Sequence, residues 1–232
     1  MHTAYTARTT VGICQFVNGI YEQHFRTAVP VRAPTNIRGV YMDKKTNIKD
    51  IISMAGGLDY INPKDIPSID LYMDQLTTFM EDQLGKNRRN DEDKVMTKTM
   101  INNYTKNHLL PPPDKKKYSR DHILLMIFIY YFKNFLPISD IKTILGPLTD
   151  KYFHKDADLN LEAIYTTLFS KEDTFVQEVL ENVMKQFHMS ADLFPDAPKA
   201  DQASLREFTF ICMLSLDIYL KKQLIEAILD KK

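Results

Sequence analysis

Thr97-Lys98-Thr99-Met100-Ile101-Asn102-Asn103-Tyr104-Thr105-Lys106-Asn107-His108-Leu109-Leu110, continuing into Pro111-Pro112-Pro113-Asp114-Lys115-Lys116-Lys117-Tyr118, is the segment on which the architecture of this chain turns. A helix over 97–107, turning roughly 100° per residue, gathers Met100, Ile101 and Tyr104 on one side. Thr99, Asn102, Asn103 and Lys106 fall at i, i+3, i+4 and i+7 on the other. One face is apolar; the other carries hydroxyl, amide and ammonium groups. Leu109 and Leu110 extend the apolar contact, and three successive prolines end any helix. Asp114 to Tyr118 then forms a short basic excursion, and Ser119 is placed to cap the next helix.

Downstream, residues 120–135 read as a helix that is apolar almost all round and therefore central. Pro137 breaks it, and Ser139 and Asp140 restart a short helix over 140–145 that Gly146 and Pro147 terminate. Upstream, Ile69, Met73, Leu76, Met80 and Leu84 recur at spacings of three and four, widened by Tyr72 and Phe79, and predict an amphipathic helix that Gly85 stops. A polar linker, 86–93, carries Arg88 and Arg89 toward the next element. The last third predicts helices at 159–169, 174–187 and 204–229, split by a loop with Pro195 and Pro198. Five of the seven glycines lie before residue 58, where turns, a strand pair near 11–17 and 37–42, and one short helix near 48–54 are expected. The predicted fold is mainly α, with an N-terminal extension over 1–66, a central domain over 67–148 and an all-helical region over 149–232.

At 232 residues and 44% apolar content, the chain can bury one good core or two small ones. Cys14 and Cys212 are too far apart to suggest a redox or ligand pair, which suits a reducing compartment. The first residues lack the cationic flank and apolar run of a secretion signal. The most apolar segment, 123–132, falls far short of the roughly 20 residues that span a bilayer, so a cytoplasmic protein with no membrane partner is expected. The six histidines show no ligand spacing, and neither a glycine-rich phosphate loop nor a nucleophile elbow is present. No metal, no cofactor and no catalytic residue is expected, and the chain reads as not an enzyme.

Net charge is zero, yet it is unevenly spread. Lys94, Lys98, Lys106, Lys115, Lys116, Lys117 and Arg120 face only Asp114 within residues 94–120, whereas residues 150–232 hold 15 carboxylates against 10 cations. A basic contact surface joined to an acidic region is the simplest account. Asn pairs with two edge atoms of adenine and Lys donates to guanine in the major groove. The expected DNA contacts are Lys98, Thr99, Asn102, Asn103 and Lys106 on the helix. Lys115, Lys116, Lys117, Tyr118 and Arg120 are expected at phosphates, which position a protein without reading sequence.

The run from Thr97 to Pro112 resembles the recognition helix of MerR-type regulators, in which a Gly-Leu-Leu-Pro sequence follows an aromatic pair. A basic wing ending in Tyr118-Ser119, then a helix, then Ile138-Ser139-Asp140-Ile141-Lys142-Thr143-Ile144-Leu145 are also similar to that family. With Leu71-Tyr72-Met73-Asp74-Gln75 and the triple proline, the chain resembles a bacterial MerR-like group bearing domain of unknown function 1836. The resemblance implies a winged helix-turn-helix, a homodimer and transcriptional regulation. His108 stands where the family has glycine, the wing lacks Gly-Tyr-Arg, and the 86–93 linker is longer than the usual turn. Metal sensing in the family uses cysteines after the DNA-binding part, and only Cys212 is available here.

The function expected is a dimeric DNA-binding regulator of transcription that reads a two-fold symmetric site through a recognition helix at 97–107 and a basic wing at 114–118. Residues 149–232 would pair subunits or take a small-molecule or protein effector, with Phe208, Phe210 and Leu214 as candidate contacts. One alternative is a protein-interaction adaptor acting through the acidic helical C-terminal region. Another is an enzyme with its site in residues 1–66.

Overall fold

One helix with no polar face organises the chain. The computed structural model describes residues 61–85 and 93–231, and among these, Arg120–Phe132 is buried without interruption from His122 to Ile129. Such a helix is stable only when wrapped on every side, and the other elements supply the wrapping. The features expected within residues 1–60 and the linker residues 86–92 lie outside the described residues.

In chain order, a 3₁₀ turn (Pro63–Asp65) leads to strand β1 (Leu71–Tyr72), helix α1 (Met73–Leu84), helix α2 (Lys98–Lys106) and strand β2 (Lys117–Tyr118). The central helix α3 (Arg120–Phe132) comes next, then α4 (Ile138–Tyr152), α5 (Leu161–Phe169), α6 (Glu172–Asp192) and α7 (Gln202–Leu229). The fold is thus mainly helical, with a single two-stranded antiparallel sheet among the described residues that pairs Leu71 with Tyr118 and Tyr72 with Lys117. Among the described residues no helix is long and apolar enough to cross a membrane.

Leu76, Met80 and Leu84 of α1, Ile101 and Tyr104 of α2, Ile141 and Leu145 of α4, and Leu161 and Tyr165 of α5 converge on α3 in one core. Ile61 and Ile66, which precede residue 67, belong to that core too. At the other end, the boundary expected after residue 148 falls inside α4, and the core continues to Tyr165, whose hydroxyl donates to the Ile61 carbonyl at 2.9 Å.

Two predicted elements differ from the structure. The helix expected from Ile69 begins only at Met73, because Leu71 and Tyr72 pair with β2, and Ile69 is exposed. The helix expected to stop at Gly146 runs on to Tyr152 with Pro147 inside it. A proline in a helix interior removes one hydrogen bond at a cost of roughly 3 kcal/mol. Burial of Leu145, with Leu148 and Tyr152 packed against the same core, offsets it.

α6 and α7 pack against each other, with Phe187 and Phe210 meeting edge to face at 5.3 Å. α7 is anchored to the core through α4 and Ile225.

Candidate nucleic-acid interface

α2 is a short helix fixed at both ends by its own sequence. The Thr97 hydroxyl accepts from the Met100 amide at 3.1 Å, satisfying one of the donors that a helix start leaves open. At the far end, the Leu109 amide donates to the Tyr104 carbonyl (2.9 Å) and the His108 amide to the Thr105 carbonyl (3.1 Å). These are the paired bonds of a Schellman motif, with His108 at φ 56°. Leu109 and Tyr104, the apolar pair that accompanies such a turn, are both buried. His108 thus holds the left-handed conformation for which glycine is the usual choice.

With the ends fixed, the faces divide as their spacing dictates. Ile101 and Tyr104 are buried, Met100 packs against the core, and burial raises the Tyr104 phenol above its ordinary value. Thr99, Asn102, Asn103 and Lys106 are all exposed. Asn103 is partly engaged, its side-chain oxygen accepting from Asn107 Nδ2 at 2.9 Å. Lys98 is exposed as well and pairs with Asp74 at the start of α1.

The basic excursion is a tight turn. The Lys117 amide donates to the Asp114 carbonyl at 2.8 Å, with Lys115 at φ 47° and Lys116 at φ 66° between them. Positive φ at both central positions is the type I′ pattern, usually met by Asn-Gly, and it matches the twist of the flanking chain. Both lysines are exposed at its tip. Lys117 leads back into β2, its ammonium 5.2 Å from the ring centre of Tyr72 on the paired strand.

Two residues expected at phosphates are placed elsewhere. Tyr118 is 3% exposed and faces the core, meeting His122 edge to face at 5.5 Å. Arg120 turns inward: Nε and Nη2 each donate to the Glu162 carboxylate at 2.8 Å, and Nη1 and Nη2 donate to the carbonyls of Ile66 and Pro63 at 2.5 Å. A guanidinium holding a bidentate carboxylate and two carbonyls has little left to offer a duplex. Arg120 instead ties residues 63–66 and α5 to the start of α3.

The base of the turn is held by a second polar group. The Ser119 amide donates to His122 Nδ1 at 3.0 Å, and the Ser119 hydroxyl lies 2.8 Å from both that nitrogen and His154 Nε2. Burial lowers the His122 pKa, so its neutral form is favoured. Phe153 closes the cluster at 4.8 Å.

Sequence reasoning missed three parts of this surface. Tyr72 underlies Lys117, Asp74 holds Lys98, and Glu162 withdraws Arg120. Only alternation about Leu71 could have hinted at the first, and the last lies 42 residues from its partner. Among the described residues no cluster of His, Cys, Asp and Glu could hold a metal ion.

No curated protein and no solved structure matches the chain. Residues 61–168, which include the core, α2 and the basic turn, match the family model described as a domain of unknown function (DUF1836).

Proposed function

We propose that this chain is a transcriptional regulator that binds double-stranded DNA as a homodimer. In this reading α1, α2 and the turn at 114–118 form a winged helix-turn-helix of MerR type, working in the cytoplasm. The observation that carries it is the division of α2. Thr99, Asn102, Asn103 and Lys106 stand in solvent on a helix whose other side is anchored by Ile101 and Tyr104. An amide pair and an ammonium on one rigid, shallow-set helix are suited to base edges in a major groove. Lys115 is nine residues beyond Lys106, so the two backbones are at most about 32 Å apart, within the ~34 Å of one duplex turn.

Arg120 is committed internally and Lys98 is paired with Asp74, so the phosphate set is smaller than composition implies. Lys94, Lys106, Lys115, Lys116 and Lys117 remain. Four or five neutralised phosphates give a slope of about −4 per subunit for log affinity against log salt. Genome-wide mapping of bound DNA would supply a site. On that site, the double variant Asn102→Ala with Lys106→Ala should lose at least about tenfold in affinity, as expected for removing base contacts worth ~1–3 kcal/mol each. Unchanged affinity, or binding indifferent to salt, would sink the proposal.

An adaptor is the second reading, favoured by the exposed apolar side chains on α7. It predicts that the same double variant retains its protein partner.

A further inference from the structure

The end of α6, the start of α7 and the loop between them line an open surface pocket of about 520 Å³, remote in sequence from α2 and the basic turn. Its walls are of two kinds. Ala191, Phe194, Pro195 and Ala203 supply apolar surface, while Lys199, Gln202 and Arg206 supply donors. None of the residues lining it is a carboxylate. Asp192, Asp196 and Asp201 lie on the same connection, yet among the described residues none of them pairs with Lys199 or Arg206.

Arg206 is the unusual member. Its guanidinium carbon lies 3.9 Å from the ring centre of Phe187, so one face is covered by an aromatic ring. Its Nε is buried and makes no hydrogen bond. A stacked guanidinium offers hydrogen bonds only along its edge, in a fork that matches two carboxylate oxygens. A buried donor without an acceptor is unfavourable. Gln202 is steadied by donating from Nε2 to the Ala197 carbonyl at 3.1 Å. It is also the first residue of α7, whose dipole adds partial positive charge at that wall.

We propose that this pocket binds a small organic carboxylate. The carboxylate is received by the edge of Arg206, with Lys199 as the second cation, and the hydrocarbon or aryl part rests on Phe194, Pro195, Ala191 and Ala203. The volume lies within the ~300–1,000 Å³ typical of small-ligand sites. A free inorganic anion leaves the four apolar residues unused, and an uncharged hydrocarbon leaves Arg206 without its acceptor. The inference does not rest on DNA binding and is tested without DNA, so either can fail alone.

The experiment is calorimetric titration of the full chain with benzoate and with octanoate, using benzyl alcohol and inorganic phosphate as comparison probes. Saturable binding of at least one carboxylate, one per chain, is expected, with benzyl alcohol and phosphate each about tenfold weaker or worse. Arg206→Gln should weaken carboxylate binding by about tenfold and Lys199→Ala by about threefold. Because Arg206 also packs on Phe187, a second variant keeps both cations. Ala203→Trp fills the pocket and should abolish binding while the far-ultraviolet circular dichroism is retained. The inference is overturned if neither carboxylate saturates, if benzyl alcohol or phosphate binds as tightly as the carboxylates, or if binding survives both Arg206→Gln and Ala203→Trp.

Discussion

His108 ends α2 at φ 56°, a conformation that costs a residue with a Cβ roughly 1–2 kcal/mol and glycine almost nothing. Its side chain is exposed and makes no hydrogen bond among the described residues. His108→Gly therefore removes strain without removing a contact. Part of the gain is lost to the freer unfolded chain, so stability should rise by about 0.5–1 kcal/mol in urea denaturation. A fall in stability would mean the imidazole has a structural role of its own. Arg120 makes the opposite case. Removing it leaves Glu162 and the carbonyls of Ile66 and Pro63 without their donor, so Arg120→Ala should lower stability by about 2–3 kcal/mol. The salt dependence of DNA binding should not change. A slope that flattens by about one unit per subunit would return Arg120 to the phosphates.

Among the helices and strands, what the sequence made legible was local. Ser119 announced its helix because capping joins residues three apart, whereas Thr97, read as the first residue of its helix, is the cap before it. The faces of α2 came from its period; its end, a left-handed turn at His108 ahead of the prolines, did not. What escaped depended on distant partners. Leu71 and Tyr72 look helical beside Met73 and Leu76 until Lys117 and Tyr118 are brought alongside them. α4 outlasts Gly146 and Pro147 because residues far away in sequence bury Leu145 and Tyr152's flank. The basic turn falls between these cases: its charge was readable, its left-handed backbone was not. That backbone gives a separation of function from stability. Lys115→Asn with Lys116→Gly installs the pair a type I′ turn prefers, so thermal stability should hold or rise. The same change removes two cations from the tip, and the salt slope should become shallower by about two per subunit. Loss of both stability and affinity would show that the lysines shape the turn; retained affinity would show that the tip stays clear of DNA.

For the chain as a whole, α7 raises the question of what covers it. Large apolar side chains on a helix are normally turned toward a core or a partner; of α7's apolar residues only Phe210 is buried. Leu216, Leu220, Leu224 and Ile228 recur every four residues and are half exposed or more, as are Phe208, Ile211, Ile218 and Tyr219. At roughly 100 Å² each, the four side chains of the Leu216–Ile228 stripe offer on the order of 400 Å², about half of what one partner contributes to a standard interface. A second copy of the chain is the partner a two-fold symmetric DNA site also requires, which is why the proposed regulator is drawn as a dimer. Leu220→Glu with Leu224→Glu places two carboxylates within the stripe without touching α2 or the turn. In sedimentation velocity the unaltered chain should run as a dimer at micromolar concentration and the double variant as a monomer, its circular dichroism unchanged. DNA affinity should fall as dimerisation is lost, since each subunit then binds its half-site alone. A chain that is monomeric from the outset would leave α7 to a different protein and move the balance toward the adaptor.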